Sequence, residues 1–227
     1  MGPEHRTISP WDGDLSPVKA YKQNTYTLEF MLKERRDLDI QRLRQETEAD
    51  HRAVEDVLPL MHQTLDVAQY LRCLQRIHGV VAAWEECALE VAPEWMLPSV
   101  VARQRRKLLE LDLAWLGAAQ QEDRRPCLPQ MNDLPSLLGT MYVMEGSTLG
   151  GQLIARHVET ALHFSEGRGT AFFRGHGDRT GKMWTEFCEL LKSYVTDEQT
   201  YLVVKAAKAM FATYGGWTRE KSVADGN

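Results

Sequence analysis

The segment Tyr142–His157, YVMEGSTLGGQLIARH, constrains the fold of this chain more than any other. Its residues favour a helix, yet Gly146, Gly150 and Gly151 sit inside it. An interior glycine costs about 1 kcal/mol relative to alanine, so three cost about 3 kcal/mol before compensation. Two arrangements offset such a cost. Either something flat or bulky lies against the backbone too closely for a Cβ, or two helices pack tightly through small residues. Ser147 and Thr148 place hydroxyls at the same point, where they can hydrogen-bond a ligand or water.

The rest of the chain reads as helices. Residues 1–37, interrupted by Pro3, Pro10, Gly13 and Pro17, show no period. They are expected to form a mobile or loosely packed extension, with a short helical piece around Leu28–Arg36. From Leu38 onward Leu43, Thr47, His51, Val54 and Leu58 recur at three- and four-residue steps, which is one stripe of a helix. Tyr70, Leu71, Leu74, Ile77, Val81 and Trp84 repeat the pattern in Val67–Leu89, ahead of Pro93 and Pro98. Val100–Leu116 is expected as one helix that opens on the basic run Arg103–Lys107 and stops at Gly117. A polar loop spans Gln120–Pro129, and the glycine-bearing helix then runs on from Leu134–Leu138 towards His163. Glu166–Gly181 reads as loop. Lys182–Tyr194 and Asp197–Tyr214 are the last helices, the second capped near Thr196 or Asp197. With no strand-like alternation and no internal repeat, the fold class is all-α. A single compact multi-helix domain over 38–217 is expected, with a tail at 218–227.

Charge and cysteine usage exclude several function classes. A net charge of −5 and a pI near 5.8 argue against a nucleic-acid binder. Cys73, Cys87, Cys127 and Cys188 form no CxxC, which disfavours a zinc knuckle and a covalently attached heme. Scattered thiols of this kind suit a reducing compartment. No signal segment and no apolar run near the ~20 residues of a membrane span is visible. A soluble, cytoplasmic protein with no membrane partner is expected.

His51 is the second candidate site. A lone histidine on an apolar stripe is usually a hydrogen-bonded core residue. Its neighbours point further. Arg44 lies two helical turns earlier, about 10 Å away on the same face. A neutral imidazole suits an iron, and a guanidinium at that distance suits a carboxylate on the same ligand. Glu55, one turn later, can orient the ring. Arg44 and Glu55 would equally serve as the solvated flank of an amphipathic helix.

The run Leu43-Arg44-x-x-Thr47-x-x-x-His51-x-x-x-Glu55 resembles the proximal helix of heme oxygenases, and EGSTLGGQ at Glu145–Gln152 resembles their distal helix. The wording EGSTLGG is similar to bacterial members, including those that accompany bacteriophytochromes. The resemblance covers roughly Leu38–Tyr214. It implies the heme oxygenase fold, with His51 as axial ligand of the iron and Gly146 and Gly150, with Ser147, forming the catalytic distal side. It implies Arg44, Thr47, Glu55, Gly151 and Lys182 as the residues around the heme, Lys182 with Arg179 beside it matching the later propionate-binding position. The implied reaction opens heme b, substrate and cofactor together, to biliverdin, carbon monoxide and ferrous iron. Dioxygen is the co-substrate. Electrons come from a ferredoxin or other reductase, because the chain has no flavin or nicotinamide fingerprint. Ser147 departs from the mammalian pattern, in which an aspartate organises the water around bound dioxygen.

Two rival functions fit the same residues. One is a heme carrier or regulatory protein without turnover. The other is a heme-oxygenase-like di-iron oxidase, since Glu48-x-x-His51 has the spacing of helical di-iron sites. That reading needs a second ExxH, and the later helices contain none.

Overall fold

A computed structural model describes residues 40–118 and 125–219, and among these it contains helices and no β-strand. The 1–37 extension with its Leu28–Arg36 piece, the first part of the 120–129 loop and residues 220–227 of the tail lie outside the described residues. The helices are α1 (Ile40–Glu55), α2 (Val67–Val91), α3 (Leu97–Ala102), α4 (Arg106–Trp115), α5 (Leu134–Gly146), α6 (Gly151–Ala161), α7 (Ala171–Arg174), α8 (Thr180–Tyr194) and α9 (Thr200–Thr218). No described helix is long and apolar enough to cross a membrane.

The starts of the long helices follow from local chemistry. Asp66 caps α2 by accepting from the Gln69 amide at 2.7 Å, while the Gln69 side chain accepts from the Asp66 amide. Asp133 and Ser136 do the same for α5. α2 carries the core through Tyr70, Leu74 and Ile77, against Leu109 and Leu113 of α4. α5 is buried almost all round and lies closely along α9. A Cβ on Gly139 would sit 2.4 Å from the Val203 carbonyl oxygen, so glycine lets these two backbones touch.

Three expected segments differ. Val100–Leu116 is two helices, because the chain turns at Arg103–Arg105. Both arginines point inward, 6% and 3% exposed, so the basic run is not a solvated helix start. Glu85 of α2 takes the orphan amides of Arg105 (2.6 Å) and Arg106 (2.9 Å), capping α4 from across the fold. The glycine-bearing helix is likewise interrupted at Ser147–Gly150, where the amides switch to tighter bonds such as Thr148 to Glu145 and Leu149 to Gly146. The 166–181 loop contains α7, whose first amides, Ala171 and Phe172, donate to buried Asp112 at 2.8 Å each.

Burial pushes the Asp112 carboxyl up to about 6, against the pull of its two backbone bonds. The folded protein therefore binds a proton there at a pH where the unfolded chain, with an ordinary carboxyl near 4, does not. This contribution to stability is complete below about pH 4 and is lost as pH rises through about 6, a change on the order of 3 kcal/mol over two units. Asp112→Asn keeps one acceptor and should flatten this part of the profile. Thermal melting of wild type and variant between pH 4 and 7 measures the difference, which should widen towards acid and level off above pH 6.

Candidate functional site

Side-chain contacts set the register of the helices around His51. α1 and α9 run in the same direction: Arg42 approaches Asp197 at 3.8 Å, and the His51 ring meets the edge of Phe211 with centroids 5.8 Å apart. One turn on, Gly215 faces Val54, whose Cγ2 lies 3.2 Å from where a Cβ would be. α5 runs with α9 as well, since its early Gly139 abuts Val203 while its end and Tyr214 both lie near the Arg105 guanidinium. Between α1 and α5, the Tyr142 hydroxyl lies beside Thr47 and Arg44. Burial raises its pKa, and those two neighbours oppose the rise. One turn beyond that contact on each helix come His51 and Gly146, which therefore stand at the same level.

α8 closes another side and runs the opposite way to α5. Trp184 is the nearest atom source to Gly146, and Cys188, one turn later, lies by Tyr142. The candidate slot lies between His51 and Thr47 on one side and Tyr142 and Gly146 on the other, with Phe211 and Trp184 beside them and Tyr142 touching Thr47 across it.

The three glycines separate by environment. A Cβ on Gly150 would have nothing within 4 Å, and one on Gly146 would meet only Trp184, at 4.0 Å. Among the described residues, Gly150 therefore borders open space and Gly146 borders the edge of the Trp184 ring. Gly151 is different: its Cβ would lie 2.2 Å from the Phe173 carbonyl oxygen, so its place in the run is accounted for by packing of α6 on α7. Tight packing, one of the two arrangements that the sequence allowed, is present at Gly151 and not at Gly146 or Gly150.

The other residues singled out from sequence are placed as follows. Thr47 is buried, its hydroxyl donating to the Leu43 carbonyl at 2.8 Å. His51 lies at the solvent edge of its stripe, its side chain 51% exposed, and Nδ1 faces Glu55 Oε2 at 3.6 Å. Arg44 and Glu55 are exposed. Ser147 Oγ donates to the Met144 carbonyl at 2.7 Å and accepts from Arg105 Nη2 at 2.8 Å. Glu48 is exposed and paired with Arg52. Among the described residues no three of His, Cys, Asp or Glu converge as metal ligands.

Lys182 does not reach the slot. It lies two residues before Trp184, about 200° round α8, and its exposed amine pairs with Glu186 at 3.8 Å. Lys192, which the sequence reading did not single out, lies one turn after Cys188, close enough to lower that thiol's pKa against the rise from burial, and its amine pairs with Glu189 at 3.1 Å. Because α8 runs opposite to α1, Lys192 falls at the same end of the slot as Arg44. Its spacing from Trp184 was visible in the sequence, but nothing there showed that Trp184 is the residue facing α5. A concavity of about 890 Å³ lies elsewhere, lined by Gln152, Arg156, Glu159 and Arg174. There Arg174 is already neutralised by a two-point pair with Glu159.

A family model described as heme oxygenase matches residues 39–220. Among curated proteins no sequence matches the chain. Three solved structures share its fold. The heme oxygenase of Leptospira interrogans is 24% identical with a TM-score of 0.65, over 79% of this chain and 97% of that one. The NO- and CO-bound heme oxygenase of Neisseria meningitidis is 22% identical with a TM-score of 0.62, over 78% and 88%. Heme oxygenase-1 of the cyanobacterium Synechocystis, solved in complex with heme, is 20% identical with a TM-score of 0.61, over 78% and 89%.

Proposed function

The chain belongs to the heme oxygenase family, and from that premise we propose how its own residues bind heme and direct its cleavage. As a member of that family it is a heme-degrading oxidoreductase that produces biliverdin. The observation that carries the site assignment is the half-exposed imidazole of His51 standing level with Gly146 and Gly150, against which, among the described residues, no other element comes nearer than the Trp184 ring at 4.0 Å.

His51 would hold the heme iron through its imidazole. Glu55 lies on the Nδ1 side, which favours a proton on Nδ1 and leaves Nε2 as the free lone pair for iron. A neutral imidazole supports dioxygen binding, whereas a thiolate would favour other oxygen chemistry. Bound heme supplies the oxygen activation and, as substrate, the meso carbon that is attacked. Gly146 and Gly150 let α5 and the following turn lie against the porphyrin face, and Phe211 and Trp184 border it. Arg44 and Lys192 face the propionates at one end of the slot.

Electrons come from a ferredoxin or other reductase, and a bacteriophytochrome is a candidate acceptor of the bilin. Four cysteines scattered without a CxxC pair suit a reducing, cytoplasmic setting. Reconstitution tests the whole reading. The purified protein should take up heme with a Soret band, then yield a bilin spectrum under reductant and air. Heme uptake that stops at the loaded protein would mean a carrier, and no uptake would remove the site assignment.

The two basic residues carry a separate prediction. An exposed ion pair contributes about 1 kcal/mol, so Arg44→Ala and Lys192→Ala should each weaken heme affinity by roughly tenfold or less. The larger effect should fall on the product. A heme no longer held at its propionates rotates in the slot and presents other meso carbons, so chromatography should resolve a mixture of bilin isomers. Lys182→Ala should leave the isomer pattern unchanged. A pattern altered by Lys182→Ala and untouched by Lys192→Ala would reverse the assignment.

A further inference from the structure

The interruption between α5 and α6 leaves one carbonyl without its usual donor. The amides that could reach the Met144 carbonyl, those of Ser147 and Thr148, turn instead to Val143 and Glu145. Two side chains fill the gap. Ser147 Oγ and Arg105 Nη2 each donate to the Met144 oxygen at 2.7 Å, and the same Nη2 donates to Ser147 Oγ at 2.8 Å.

Arg105 is built into this place. It is 3% exposed, and its guanidinium lies 4.7 Å from the centre of the Phe172 ring. Its amide is fixed by Glu85, and the buried carboxylate of Glu145 is near enough to offset part of the burial of its charge. Arg103 is the partner that touches Glu145, Nε to Oε2 at 3.3 Å. A cation at the C-terminal end of α5 also suits the helix dipole.

This geometry decides what Ser147 can do. A hydroxyl has one proton and two lone pairs. The proton is used on Met144 and one lone pair on Arg105, so only one lone pair remains. Ser147 is exposed and adjoins Gly146. We propose that Arg105 is a positioning residue for heme oxidation: it fixes the Ser147 hydroxyl as an acceptor, so that a water there donates one proton to Ser147 and keeps the other directed into the slot. The inference rests on the placement of heme against Gly146 and Gly150. It assigns the role that an acidic side chain would fill to a neutral hydroxyl polarised by a buried guanidinium.

The test is a double-substitution cycle on the ferric heme-loaded protein. The readout is the pH midpoint of the absorbance change between its acid and alkaline forms. Ser147→Ala and Arg105→Met should each shift that midpoint by about 0.5–1 pH unit, the worth of roughly one buried hydrogen bond. The double variant should shift it no further than the larger single change, because Arg105 acts through Ser147. Additive shifts would mean that the charge of Arg105 acts directly, and would overturn the proposal. So would an unmoved midpoint in Arg105→Met with only a lowered apoprotein Tm, which is the signature of a purely structural arginine. If Arg105→Met does not fold, Arg105→Lys takes its place in the cycle, keeping the charge but losing the planar fork. Failure to bind heme at all in the wild type would instead sink the site assignment beneath the proposal.

Discussion

His51→Ala is expected to abolish bilin formation while leaving the fold intact. The imidazole is half exposed, and its described contacts are the edge of Phe211 and the 3.6 Å approach of Glu55. Surface side chains with so few contacts contribute within about 0.5 kcal/mol to stability, so the apoprotein should melt within a few degrees of wild type. Heme should still enter, because the apolar walls and the Arg44 end of the slot remain. The iron would lose its nitrogen ligand, and the absorption spectrum of the loaded protein should change accordingly. Added imidazole, small enough to occupy the volume left by the side chain, should restore part of the turnover. A ferrous-CO spectrum identical to wild type in His51→Ala would move the ligand elsewhere, and no other histidine stands on this stripe. Glu55→Gln gives the companion measurement. At 3.6 Å and exposed, the carboxylate orients the ring weakly, so its loss should have a far smaller effect than loss of the imidazole.

The difference between legible and illegible parts of this site is one of distance along the chain. α1 and α2 were visible in the spacing of Leu43–Leu58 and Tyr70–Trp84, because amphipathic periodicity is a local property. The motif residues His51 and Gly146 were visible for the same reason: each sits in a short run with its own spacing. The division of Val100–Leu116 was not, because the carboxylate that caps α4 belongs to Glu85, twenty residues upstream of Arg105. Arg103 and Arg105 look like a solvated basic run until that carboxylate and Glu145 are known to be buried beside them. Lys182 and Lys192 present the same difficulty in another form. Both are lysines on one helix, and only the contact of Trp184 with Gly146 decides which of them shares an end of the slot with Arg44.

The glycines supply the sharpest contrast, because identical substitutions should have opposite results within six residues of chain. Alanine at Gly146 or Gly150 meets no protein atom closer than 4.0 Å, and Gly150 has an ordinary helical φ of −83°. The apoprotein should therefore be as stable as wild type, or more stable by up to about 1 kcal/mol from helix propensity. Its heme affinity or turnover should nevertheless fall, since the new methyl occupies the face against which the porphyrin lies. Gly151→Ala drives a methyl to 2.2 Å from the Phe173 carbonyl, where rigid backbone must move. Overpacking of that kind costs roughly 1–3 kcal/mol or more, so this variant should melt well below wild type. Its effect on heme should follow from the loss of fold. Melting curves of the apoproteins and heme titrations of the same samples separate the cases. An early-melting but fully active Gly150→Ala would show that this glycine, like Gly151, serves packing, and the porphyrin would then lie against Gly146 alone.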